Sequence, residues 1–121
     1  MSRIKLTLLT TLALIVSSVW LAAAANCATN VQTVRVTEVS YGIRFSAKPR
    51  AGAVRFVVKN ASGDDHDLRL RGGGKTWKTR VMRSLGSSTL TATLKKGVRY
   101  TFWCGVDDHR QEGMSGSFVT R

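Results

Sequence analysis

The chain has 121 residues, 43% of them hydrophobic, with one Pro, two Cys and a formal charge of +12. That length holds one small domain with a modest core and leaves no room for a substrate-binding domain beside a catalytic one. The charge favours acidic partners, but it is spread along the chain rather than gathered in one tail, which speaks against nucleic acid.

Residues 1–25 read as a secretory signal peptide. Arg3 and Lys5 form its basic start, Ile4–Leu21 its apolar stretch, and Ala22–Ala25 the small residues before cleavage, placed after Ala25. The alternative is an uncleaved anchor. The stretch is short for a bilayer span, and Thr7, Thr10, Thr11, Ser17 and Ser18 dilute it. The expected product is a periplasmic or extracellular domain, residues 26–121, with no stable membrane insertion. Without Arg3 and Lys5 its formal charge falls from +12 to +10. Cys27 then becomes the second residue, open to a spare-thiol, lipidated or intermolecular role.

The remainder shows no helical period and several runs of period near 2, the mark of half-buried strands. Residues 33–39 form the first, and 42–46 continue it weakly after a bend at Gly42. A turn at 48–52 leads to 53–59, where Val54, Phe56 and Val58 share a face. After a loop at 60–65, His66, Leu68 and Leu70 point one way and Asp67, Arg69 and Arg71 the other. Gly72–Gly74 turns the chain into 75–82, a strand or an irregular crossing. Residues 89–94 alternate again. In 98–104, Val98, Tyr100, Phe102 and Cys104 face the core, and Trp103 faces away. A glycine-broken loop precedes a last strand at 116–120. Seven or eight short strands in one small domain predict an all-β sandwich or closed barrel.

Four residues carry the chemistry. The segment 104–114 has the spacing Cys-x4-His-x4-Met, in Cys104, His109 and Met114; His66, the other histidine, lies 38 residues before Cys104. Two imidazoles, a thiolate and a weak thioether form the donor set of blue-copper electron transfer. Thiolate suits Cu(I), and imidazole suits both oxidation states. Such a set need not rearrange when an electron leaves. A buried Cys is more often inert packing, and a loop His more often plain surface; the combination is what points to metal. Zinc also accepts Cys and His, but Met is a poor fourth zinc ligand. Gly113 and Gly116 flank Met114 and let the backbone pass closely.

The motifs Tyr100-Thr101-Phe102-Trp103-Cys104, His109 and Glu112-Gly113-Met114-Ser115-Gly116 resemble the C-terminal copper signature of the plastocyanin and azurin-like cupredoxins. Val57-Val58-Lys59-Asn60 before His66 resembles their upstream ligand motif, and Leu94–Tyr100 their turn before the cysteine strand. The likeness covers most of residues 33–120. It implies a Greek-key β-sandwich that holds one Cu(I)/Cu(II) ion per chain. His66, Cys104 and His109 would be the strong ligands and Met114 the axial one. The loop matches neither subfamily. Its second His follows the Cys by five residues rather than the three of plastocyanins, and its Met comes one residue later than in azurins. Asp107 and Asp108 are expected to bring acidic charge near the ion.

The expected function is a monomeric, non-enzymatic carrier of single electrons that meets a redox protein with an acidic docking face. The alternative is a periplasmic copper-binding or copper-delivery protein. A metal-free sandwich that binds a protein partner is the remaining reading. Asn60-Ala61-Ser62 also matches a glycosylation sequon, although its place beside a ligand loop disfavours modification.

Overall fold

The structure, a computed structural model, describes residues 30–121. The expected signal peptide and Cys27 lie outside the described residues.

Eight strands form in chain order: β1 (Gln32–Val39), β2 (Gly42–Phe45), β3 (Gly52–Asn60), β4 (Arg69–Gly72), β5 (Lys75–Lys78), β6 (Ser87–Leu94), β7 (Arg99–Trp103) and β8 (Ser115–Val119). They make two four-stranded sheets, ordered β2-β1-β3-β6 and β5-β4-β7-β8. All pairings are antiparallel except β1 with β3, which run parallel because β2 folds back along the outer edge of β1 before the chain crosses to β3. The result is a Greek-key sandwich.

Alternation decides which side chains enter the core. Val34 and Val36 of β1, Val54, Phe56 and Val58 of β3, and Leu90, Ala92 and Leu94 of β6 meet Leu70 and Tyr100 of the second sheet and Leu68 just before β4. Phe45 bridges the layers at the open edge, 4.6 Å from the Phe102 ring and 6.0 Å from that of Phe118. A well-packed, fully buried ring such as Phe56 contributes about 3–5 kcal/mol against its truncation to Ala.

The stretch expected at 75–82 divides. Its strand ends at Lys78. The Thr79 hydroxyl then accepts the Leu68 N–H at 3.0 Å, and Met82 forms an isolated bridge with His66. This crossing, the loops at 60–66 and 104–114, and the β1–β2 turn all gather at one end of the sandwich, where β1 and β3 finish.

Candidate metal centre

His66 arrives just before β4, pinned on both sides of its backbone. Its N–H donates to the Met82 carbonyl at 3.0 Å, and its carbonyl accepts from the Met82 N–H at 2.7 Å. The ring is 1% exposed. Its Nε2 lies 2.7 Å from the Ser62 hydroxyl oxygen. That hydroxyl gives its own hydrogen to Asn60 Oδ1 at 3.0 Å, so it accepts from His66 Nε2–H. The tautomer thus leaves Nδ1 as the free lone pair, the arrangement a metal-binding imidazole needs.

Asn60, the last residue of β3, organises this corner. It is fully buried, and its Nδ2 reaches the carbonyls of Asp64, Met82 and Arg83 at 2.7, 3.0 and 3.2 Å. Its Oδ1 accepts the Ser62 N–H at 2.9 Å. A side chain this occupied cannot carry a glycan, so the sequon has a structural meaning only.

Cys104 follows β7 and is fully buried. Its sulfur stands 3.7 Å from His66 Nδ1 and 3.7 Å from His109 Nδ1. Burial pushes the thiol pKa up, and the backbone N–H groups of Asp67 and Val106 aimed at the sulfur oppose that rise. His109 is half-buried on the following loop. Its backbone N–H donates to the Val106 carbonyl, and its carbonyl accepts from Met114 N–H at 3.0 Å. The two imidazole centres are 4.9 Å apart, and Tyr41 sets its ring edge-on to His109. Burial holds the His66 pKa below the ordinary histidine value. Neighbouring His109 lowers it further, while Asp64, Asp65 and Asp67 partly restore it.

Met114 enters β8 fully buried, and its carbonyl accepts the Cys104 N–H at 3.0 Å. The loop therefore closes between Cys104 and Met114 as one backbone ladder. Gly113 reaches its φ of +107°, which a side chain would strain. Gly116 serves the sheet instead: a Cβ there would come within 2.5 Å of the Phe102 ring.

The donor atoms of His66, Cys104 and His109 all lie within 4.8 Å of one another. The spacing suits a single ion. Bonds of about 2.3 Å to thiolate and about 2.0 Å to imidazole span 3.7 Å when they meet at roughly 120°. Two imidazole nitrogens and one cysteine sulfur around a common centre are the trigonal donor set that suits copper.

Two buried acids were not singled out from the sequence. Asp67, expected on the outward face, is 2% exposed because Arg69 and the start of the cysteine loop cover it. Its Oδ1 accepts the Gly105 N–H at 2.5 Å and its Oδ2 the Arg69 Nε–H at 3.0 Å, fastening the Cys104 loop to the His66 strand. Glu38 is fully buried with both carboxylate oxygens unpartnered. Burial first, and then Asp67, raises its pKa to about 7. The alternation that buries Val34 and Val36 also points Glu38 inward, and that was the available signal. Asp107 and Asp108, by contrast, are exposed.

Against solved structures, the chain resembles dithionite-reduced auracyanin from the photosynthetic bacterium Roseiflexus castenholzii at 18% identity and TM-score 0.63, over 74% of this chain and 97% of that one. It is similar to auracyanin A, described as a "blue" copper protein, from Chloroflexus aurantiacus at 17% identity and TM-score 0.63, over 75% and 99%. A multicopper oxidase aligns at 10% identity and TM-score 0.59, over 74% of this chain and 44% of that one. The fold is cupredoxin-like. No protein-family model and no curated protein matches the chain.

Proposed function

We propose that this chain is an exported electron carrier that binds one copper ion through His66, Cys104, His109 and Met114, without an enzymatic role. The observation that carries the reading is the Cys104 sulfur standing 3.7 Å from two Nδ1 atoms at the loop end of a cupredoxin-like sandwich. The fold shared with auracyanin A, itself described as a "blue" copper protein, supports the copper reading, and the basic start and apolar run of residues 3–21 support export.

A bound copper ion would supply the one-electron chemistry by alternating between Cu(I) and Cu(II). The chain's own residues set the terms. Cys104 gives up its proton on binding, so metal affinity rises with pH until the thiol is ionised. His66, with its pKa lowered, is neutral and ready at neutral pH. Ser62 and Asn60 keep its ring from turning, which favours equal geometry in both oxidation states. Leu68, Leu70 and the buried Met82 keep water from the inner side. His109, half-buried, is the exit toward a partner.

The charge of the exported domain steers it toward an acidic redox partner at long range. Short-range contact falls on a mixed rim, where Asp64, Asp65, Asp107, Asp108 and Glu112 stand with Arg83 and Arg110. The fold itself also permits copper delivery. Copper titration of residues 26–121, followed by redox cycling, separates the two. One ion per chain, an intense thiolate-to-copper band that bleaches reversibly on reduction, and metal retained through cycling establish the carrier. Loss of copper on each reduction establishes delivery instead.

A further inference from the structure

The exposed carboxylates of the described residues gather at one end of the sandwich, whereas exposed cations occur at both ends and on the sheet faces between. Asp64, Asp65, Asp107, Asp108 and Glu112 are the exposed carboxylate side chains, and all five sit in the two loops that carry His66 and His109. The opposite end has no Asp or Glu. It gathers Lys48, Arg50, Lys75, Lys95, Lys96 and Arg121, all exposed and none in an ion pair among the described residues.

These six share one end because the backbone ties their turns together. Ala51 N–H donates to the Arg121 carbonyl at 3.2 Å, and Gly97 N–H to that of Thr120 at 3.1 Å. Gln32 holds the Lys48 carbonyl and the Arg50 N–H at 3.1 and 2.7 Å. Lys95 lies beside Gly73 in the hairpin that leads to Lys75. From Gly52, at this end of β3, to Asn60, at the metal end, the strand runs roughly 25 Å.

We propose that this basic end is a docking surface for an anionic phospholipid membrane, which leaves the metal end pointing away from the lipid. The cations stand on separate turns and on long stems. Lys48, Arg50 and Arg121 line one concavity, but Lys75, Lys95 and Lys96 stand on other turns outside it, so the full set spreads wider than a single phosphate or carboxylate could engage. A dispersed set of this kind fits a delocalised sheet of negative charge, to which each nearby Lys or Arg adds attraction. The surface is independent of the copper reading.

The test is sedimentation of residues 26–121 with vesicles of phosphatidylglycerol and phosphatidylcholine against vesicles of phosphatidylcholine alone. Binding to the anionic vesicles only, lost at high salt, is expected. The variant Lys48→Ser/Arg50→Ser/Lys95→Ser/Lys96→Ser should bind at least about ten-fold more weakly. A variant with the same net charge, Arg35→Ser/Arg44→Ser/Arg55→Ser/Lys59→Ser on the outer face of the first sheet, should bind at least about ten-fold more tightly than that. Lysine acetylation of the unmodified sequence gives a readout that needs no variant: vesicles should protect Lys48, Lys75, Lys95 and Lys96 and leave Lys59 and Lys78 reactive. Absence of binding to anionic vesicles, equal weakening by both variants, protection of Lys59 and Lys78 instead, or tighter binding to a soluble acidic polysaccharide than to vesicles would each overturn the proposal.

Discussion

The two histidines of the site are held in opposite ways. His66 is buried, bonded through its backbone to Met82 and through its ring to Ser62, with Asn60 bracing that hydroxyl and three carbonyls around it. His109 is half-buried, is positioned by loop backbone alone, and has an aromatic edge from Tyr41 beside it. One half of the site is therefore set before metal arrives. The other is a surface loop that can meet a partner. A carrier needs both: a fixed coordination geometry, and a ligand through which the electron leaves.

Removing the element common to both halves should have the largest effect. Cys104→Ser is expected to abolish the thiolate-to-copper band, read by visible absorption; an unchanged band would place the thiolate elsewhere. Asn60→Ala comes next. It strands three carbonyls and frees Ser62, and should cost about 3 kcal/mol in denaturant unfolding. Copper affinity should fall by about 10–100-fold through the loosened His66. Affinity that stays at the original value would show that the Asn60–Ser62 chain does not position the ring.

The contrast between the histidines can be sharpened directly. In His109→Gly, imidazole from solution should reach the vacated place and restore the visible band. In His66→Gly the buried corner should exclude it. Equal rescue of both would show that the two histidines are equally accessible.

Glu38 sits behind both halves, and its effect is smaller. Its pKa is raised from 4.5 to about 7 in the folded chain, so the folded state keeps a proton that the unfolded state loses between those values. Stability of the metal-free protein should therefore fall as pH rises from about 4.5 to about 7, by at most about 3 kcal/mol, and level off above. Glu38→Gln should flatten that slope in denaturation measured across the range, and a slope left intact would assign it to another group. The smallest effect is expected on the exposed rim. Asp107→Asn/Asp108→Asn should speed electron exchange with an acidic partner by less than about three-fold at low salt. A slower exchange would show that the partner presents a basic face.

The sequence exposes some of this and hides the rest for physical reasons. Strand alternation marks the core of β1, β3, β6 and β7, because each is half-buried and period 2 survives in Val, Phe, Leu and Tyr. The candidate ligands stand out because the soft and imidazole donors are few and suitably spaced. Asp67 does not, because its burial comes from Arg69 and Gly105, one of them 38 residues away, and not from its own strand position. The Asn60–Ser62–His66 chain looks like a sequon because its bonds depend on where the 81–86 crossing runs. The end of β5 at Lys78 is likewise set by Thr79 turning in to meet Leu68.

The central claim, one copper held by two imidazoles and a thiolate in an arrangement set largely by the folded chain, is tested most directly by X-ray absorption at the copper edge of the loaded protein in both oxidation states. Two nitrogens and one short sulfur are expected around the copper, with the same atoms kept on reduction. A shell of nitrogen and oxygen alone, or loss of a histidine between the two states, would contradict it.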